Sequence, residues 1–382
     1  MSILKKRLLI VINEDWFYWS HYRSWALRAL KSGYEVHVAL RVNKLEKEIL
    51  ADGTILHPLK SMQREKISFS RQLLVISELY HLYREIRPDV IHHLTFNAVL
   101  CGSIAAKFAG RKNIVNAVTG LGHLFIQSDL KTQVMRNIAV VTLRCFLPRK
   151  STKYIIANPD DKKELLNRRA IFQDQIVMVP GSGVDPNVYP FLEEPDGDIV
   201  IMLASRMLWP KGIQTFVDSA KMLKEQNVEC RMVLVGDPDP ANPTSVPLEK
   251  LKKWDAEGIV EWWGHSNNIL DSFSKAHIVC LPSFREGLPR VLIEAASCGK
   301  PVVTSDVPGC REICRNGENG FLFELNNALE LTNTLGKMIE DKDLRAKFGK
   351  KGRSMVKNEF SLEKVTSIAL DTYSSLLRNS KK

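Results

Sequence analysis

The sequence contains no apolar run near the roughly 20 residues that a membrane-spanning helix requires; its longest candidates, around 94 to 106 and 137 to 147, are interrupted or short. Any membrane contact is therefore expected to be peripheral. Lys5-Lys6-Arg7 is followed only by LLIVI before Asn13-Glu14-Asp15, too little for the core of a secretion signal and better suited to a buried first strand. The seven cysteines, at 101, 145, 230, 280, 298, 310 and 314, form no paired framework. Cys310 and Cys314 are close neighbours, but without the second pair or the histidines of a zinc site. Reduced thiols in a cytosolic protein, and no bound metal, are expected. Also missing are a Ser-His-Asp arrangement, a phosphate-binding P-loop and any recognisable nucleic-acid module, so neither a protein nucleophile nor a nucleic-acid partner is expected.

What is present is enough chain for two domains, with charge unevenly divided between them. Residues 1 to 185 hold 28 Lys and Arg against 16 Asp and Glu, whereas the remainder is close to neutral. A basic first half suits an anionic partner: phospholipid, a phosphorylated acceptor or, by charge alone, nucleic acid.

Short apolar runs alternate with amphipathic helical stretches. RLLIVI (7 to 12), YEVHVAL (34 to 40), DVIHHL (89 to 94) and NIVNAV (113 to 118) form one series. DIVIMLA (198 to 204), CRMVLVG (230 to 236), IVEWWG (259 to 264), AHIVCLP (276 to 282) and KPVVTSD (300 to 306) form a second. This alternation predicts an α/β protein of two doubly wound, Rossmann-like domains facing across a cleft. The Gly-, Pro- and acid-rich stretch 179 to 198 marks the boundary, giving domains 1–185 and 186–362 and a closing helix within 363–382. Ligands in such sheets bind beyond the carboxyl ends of the strands.

SFREGLPRVLIEAASCGKPVV (283 to 303) leaves such a strand end. Pro289 suits the first position of a helix that Gly299 stops. Arg290, Glu294 and Ser297 share one helical face, and Glu294 taken alone reads as a solvated partner of Arg290, with a ligand-binding carboxylate as the alternative. Together with Glu286 and the free N–H groups after Gly287, it would suit a sugar nucleotide, since a carboxylate accepts two bonds from a vicinal diol. Arg206 and Lys211, in SRMLWPKG, leave another strand end and could neutralise a departing diphosphate. In VTGLGH (118 to 123), Gly120 and Gly122 allow close backbone approach and lead to His123. At least one of His92 and His93 is expected to point into the cleft.

These residues resemble the retaining glycosyltransferase family with the glycosyltransferase-B fold and a Glu-x7-Glu pair, here Glu286 and Glu294. GDPDPANP (236 to 243), EWWGH (261 to 265) and NAVTGLGHLF (116 to 125) further resemble members that extend undecaprenyl-diphosphate-linked saccharides with galactose- or N-acetylgalactosamine-type sugars. The resemblance implies transfer from a UDP-sugar, used as substrate with no cofactor or metal, to a polyprenyl-diphosphate-linked saccharide in bacterial surface glycan assembly, with retained anomeric configuration. It implies diphosphate contacts for Arg206 and Lys211, ribose contacts for Glu294 and donor-sugar contacts for Glu286. Gly287, Leu288 and Pro289 would approach through their backbone, and His123 would touch a sugar hydroxyl or the acceptor. It also implies that the closing helix crosses back onto the first domain.

The first half departs from the family. Where many members carry a glycine pair after strand one, this chain has NEDWFYWSHYR, which puts a phosphate role for that loop in doubt. The Trp16 to Trp19 aromatics suit either core packing or a lipid interface. Arg144, Arg149, Lys150, Lys162, Lys163, Arg168 and Arg169 are candidates for docking on the anionic inner face of a cytoplasmic membrane, or are simply a solvated face. A nucleotide-sugar epimerase or hydrolase, and a non-catalytic nucleotide-sugar-binding subunit, are the alternative readings.

Overall fold

The computed structural model describes residues 5–62, 69–118, 120 and 130–379. They fall into two compact units, Met1–Ser182 with Glu363–Lys382, and Gly183–Leu362.

The first unit is built on β1 (Arg7–Glu14), β2 (Glu35–Arg41), β3 (Ile55–Pro58), β4 (Val90–Leu94), β5 (Ile114–Val118), β6 (Thr152–Ile156) and β7 (Ile176–Met178). They form a parallel sheet in the order β3-β2-β1-β4-β5-β6-β7. Leu8 to Ile12 are buried on both sides, as a parallel sheet between two helical layers requires. Right-handed crossovers place helices Phe69–Ile86, Phe96–Phe108 and Leu130–Cys145 on one face. Helices Arg23–Lys31 and Leu362–Asn379 cover the other, linked by an Arg28–Glu363 contact of 3.5 Å.

Because successive strand residues point to opposite faces, the two histidines of β4 part company. His92 Nδ1 meets the Tyr373 hydroxyl of the closing helix at 2.6 Å. His93 Nε2 meets Tyr83 at 2.8 Å on the opposite face, and its Nδ1 meets Asn116 at 2.7 Å. Both are fully buried, so the expectation that one would point into an open site is corrected: the strand end lies beyond them, at Thr95.

This burial has a pH consequence. Burial, helped by the neighbouring His93, pushes His92 down to about 3, and burial, partly offset by the Asn116 bond, pushes His93 down to about 4. In the unfolded chain both protonate near pH 6.5. Below that pH the unfolded state binds more protons. Stability is therefore whole above about pH 6.5 and is lost as the pH falls toward 4, by up to about 1.4 kcal/mol per pH unit for each histidine. Thermal melts should show a lower Tm at pH 5.5 than at pH 7.5; equal values would contradict this account.

The second unit has β8 (Val200–Ala204), β9 (Arg231–Val235), β10 (Glu261–Gly264), β11 (Ile278–Leu281), β12 (Val302–Ser305) and β13 (Gly320–Phe323), in the parallel order β10-β9-β8-β11-β12-β13. Ile213–Glu225, Leu248–Ala256 and Ala328–Glu340 pack on one face, and Ile269–Lys275 and Arg290–Ser297 on the other. Asn268, Asn327 and Asp341 cap helices by accepting bonds from Leu270, Glu330 and Leu344 N–H groups. β3, β6, β7 and β13 were not among the runs identified from sequence.

Candidate functional site

In the second unit β8 and β11 are neighbours at the centre of the sheet. After β8 the chain makes a single turn, Trp209–Lys211, that closes on Gly212 at φ 75°. A Cβ there would collide with the Pro282 carbonyl oxygen, in the loop that leaves β11. The two loops are laced together. Phe284 N–H donates to Pro210 O (2.9 Å), and the Ser283 hydroxyl oxygen lies 3.1 Å from the same oxygen.

That lacing brings Lys211 and Glu286 together. Lys211 Nζ lies 2.5 Å from Glu286 Oε1, and Ser283 Oγ donates to the same oxygen at 2.5 Å. Glu286 Oε2 has no partner among the described residues. One carboxylate oxygen is thus fixed while the other remains available. Behind the pair, Glu286 N–H donates to Pro308 O at 3.1 Å, and Gly309, at φ 81°, leaves room for the Glu286 and Gly287 carbonyls. Cys310 lies behind this site, and burial, with Glu286 adding to it, pushes its thiol up to about 12, which keeps it protonated and unsuited to attack.

Gly287 and Leu288 are half-buried and Pro289 is buried. Pro289 is the residue before the helix, whose first turn opens at Arg290, one position later than the sequence suggests.

Arg206 reaches Asp239 at 2.9 Å. Asp239 belongs to the GDPDPANP stretch, held close by a Met207 N–H to Asp237 O bond and by Gly236, where a Cβ would strike the Ser205 carbonyl. Both cations at the end of β8 therefore already face carboxylates.

Glu294 is 8% exposed, and Arg290 Nε donates to it at 2.7 Å. The i, i+4 pairing is present, but the solvated setting considered for it is not. Burial opposes the Arg290 charge, yet Glu294 and Tyr189 more than offset this and raise Arg290 above its ordinary value. Arg290 Nη1 also donates to Gly183 O at 3.3 Å, and Ser297 Oγ to Tyr189 O at 2.8 Å. This face of the helix thus holds the 183–189 segment.

In the first unit, His123 and Gly122, with most of NAVTGLGHLF, lie outside the described residues; Gly120 has φ 143°. The loop after β1 is held by Asp15, whose carboxylate accepts from the N–H groups of Asn43, Lys44 and Leu45. Burial opposes that charge, but the bonds, led by the Asn43 side chain, hold the carboxyl below its usual value. Of the aromatics, Tyr18 is fully buried, Trp19 stacks on the Arg23 guanidinium at 4.1 Å, and Trp16 is 41% exposed.

Sequence reasoning missed Thr95, at the end of β4. Its φ of 137° is a strained value for a β-branched residue, and its Oγ1 donates to Asn13 Oδ1 at the end of β1 (2.7 Å). No signal short of the backbone conformation would have found it.

No cluster of three or more metal-ligating side chains occurs among the described residues, and no helix among them is long and apolar enough to cross a membrane. A groove of about 980 Å³ in the second unit is lined by residues including Asp198, Trp263 and Lys275, but by neither Lys211 nor Glu286.

Residues 187–355 match the family described as glycosyl transferases group 1, and residues 7–157 match glycosyl transferase 4-like. The N,N'-diacetylbacillosaminyl-diphospho-undecaprenol alpha-1,3-N-acetylgalactosaminyltransferase of Campylobacter jejuni is 27% identical over 302 residues, 74% of this chain and 78% of that protein. The UDP-Gal:alpha-D-GlcNAc-diphosphoundecaprenol alpha-1,3-galactosyltransferase of Escherichia coli is 25% identical over 327 residues, 82% of each chain. Among solved structures, Anabaena HepE in complex with UDP and glucose superposes with TM-score 0.77 at 19% identity, covering 96% of this chain and 99% of that one. Sucrose-phosphate synthase from Thermosynechococcus elongatus does so with TM-score 0.82 at 17% identity, covering 98% and 100%. At these identities the structural likeness speaks to the fold.

Proposed function

Because the chain belongs to the glycosyltransferases of the glycosyltransferase-B fold, with a group 1 domain in its second half, we propose that it moves a GalNAc-, Gal- or GlcNAc-type sugar from a UDP-sugar. The acceptor is a hydroxyl of a polyprenyl-diphosphate-linked saccharide at the inner face of the cytoplasmic membrane, and the anomeric configuration is retained without metal or cofactor. The acceptor class is supported by the names of the Campylobacter and Escherichia relatives. The observation that carries the reading is the Lys211–Glu286 pair, with one carboxylate oxygen held by Lys211 and Ser283 and the other without a partner among the described residues.

In this reading the new bond forms between the acceptor oxygen and the anomeric carbon, on the face from which the diphosphate leaves. The carbon–phosphate-oxygen bond breaks, and the acceptor proton passes to a phosphate oxygen. Lys211 and Arg206 meet the charge that builds on the diphosphate. Arg206 is 45% exposed, so its bond to Asp239 is worth no more than about 1 kcal/mol and is readily exchanged for phosphate. Glu286 Oε2 accepts from hydroxyls of the donor sugar, while Lys211 and Ser283 hold the carboxylate still. Glu294, held by Arg290, takes the ribose diol, and the Gly287 to Pro289 backbone lies along the donor. Gly120 and Gly122 are assigned to backbone contacts with the donor, and His123 to a sugar hydroxyl or the acceptor.

The test is incubation of the protein with a panel of UDP- and GDP-sugars and a short lipid-diphosphate saccharide, followed by mass spectrometry. A mass gain on the acceptor from one donor is expected. Donor hydrolysis, epimerisation or binding alone would overturn the reading. Arg206→Ala and Lys211→Ala should each weaken UDP binding by about tenfold, the loss expected for one charge-assisted contact of 1.5 kcal/mol or so. Calorimetry showing unchanged affinity in both variants would remove them from the site.

A further inference from the structure

We propose that the outer face of helices Phe69–Ile86 and Leu130–Cys145 is the surface by which this protein lies on an anionic lipid bilayer. The proposal rests on the lipid-linked acceptor above for its purpose. Val134, Ile138 and Val141 follow the i, i+4, i+7 spacing of a single helical stripe, and that stripe faces water, at 58%, 58% and 54% exposure. The core-facing side of the same helix is already occupied by buried Ala139 and Leu143. The helix is therefore apolar on two sides, which packing within the first unit does not explain. Leu73 and Leu74 are likewise 52% and 60% exposed on helix Phe69–Ile86. Both helices pack against Phe96–Phe108, which lies between them on the same face of the sheet.

Charge identifies the occupant. Residues 130 to 153 contain six Lys and Arg and no Asp or Glu, whereas helix Phe69–Ile86 balances Arg71 and Arg84 with Glu78 and Glu85, so the cationic part of the face is the later helix. Arg144 sits on the flank of the stripe, exposed and with no partner among the described residues, and Lys150 is similarly exposed. Not all the basic residues singled out in the sequence are available: Arg149 is held by Asp174 at 2.7 Å and Arg168 by Glu164 at 2.5 Å. Aliphatic side chains bordered by unopposed cations match a headgroup boundary, where the methyl groups reach the acyl region and the cations meet phosphates. A second copy of this chain would set cation against cation.

Flotation with vesicles of phosphatidylcholine containing a quarter phosphatidylglycerol, in the absence of donor and acceptor, tests this. Wild type is expected to bind them about tenfold or more tightly than pure phosphatidylcholine, and 0.5 M salt should reverse much of the difference. Ile138→Glu/Val141→Glu, at exposed positions that leave the core intact, should lose binding at least tenfold while UDP affinity stays unchanged. A polarity-sensitive dye on Cys145, the exposed cysteine one turn further along the stripe, should shift to an apolar signature on vesicles.

Absence of wild-type binding, equal binding by the double variant, or a dimer that the double variant converts to monomer would overturn the assignment, the last in favour of self-association. The two proposals fail separately. Flotation without sugar transfer would sink the enzymatic reading alone, and transfer to lipid-linked acceptor without flotation would sink only this face.

Discussion

Glu286→Gln is expected to lower kcat by about 10²- to 10³-fold, the usual cost of removing one preorganised electrostatic contact to a reacting centre. The substitution keeps the shape of the side chain but removes its charge, so the loops after β8 and β11 lose the ionic part of their link. Lys211, no longer opposed by a carboxylate, should bind the diphosphate at least as well as before. Turnover and UDP affinity are therefore expected to move apart, with kcat falling while the Kd for UDP holds or tightens. Steady-state kinetics with the donor found in the panel, beside calorimetry with UDP, would show this divergence. A near-normal kcat would mean that the catalytic carboxylate lies elsewhere, and a parallel loss of UDP affinity would mean that Glu286 acts only by holding the loops in place.

Gly212→Ala is expected to destabilise the second unit by about 3 kcal/mol. Roughly 1–2 kcal/mol comes from holding an L-residue at a positive φ, and a comparable amount from the overlap of its Cβ with the Pro282 carbonyl. For a unit of this size that corresponds to a Tm lower by roughly 6 to 12 °C. Gly317 provides the control, since it has φ 76° but open space where a Cβ would stand. Gly317→Ala should cost only the backbone share, roughly 1–2 kcal/mol. Equal losses in the two variants, measured by differential scanning calorimetry, would show that the close approach of the two loops does not matter.

The sequence showed much of this architecture because parallel strands buried on both faces are continuous apolar runs, and RLLIVI, DIVIMLA and AHIVCLP all lie on strands. The strands that escaped notice lack that signature. β6 begins with Thr152 and Lys153, which interrupt the apolar run, β7 has only three residues, and β13 opens on Gly320 with two of its four residues only half-buried. β3 lies at the sheet edge with two of its four residues exposed. The tight turn after β8 was legible because Lys211 stands beside Gly212, which takes a positive φ. What could not be read was pairing across long separations, including the Arg206–Asp239 bond, the use of Asp15 as an internal anion for the backbone at 43–45, and the strain at Thr95. Each depends on where another part of the chain comes to rest.

The closing helix gives the chain an order of assembly. Gly183–Leu362 is one unbroken stretch, so during synthesis that unit has all of its residues before the other does. The first unit is interrupted: its β4 histidine His92 waits 281 positions for the hydroxyl of Tyr373. Until residues 363–379 leave the ribosome, the face of the sheet that carries His92 is covered by helix Arg23–Lys31 alone. The unit begun first is finished last, and the nascent chain is most exposed to aggregation in that interval.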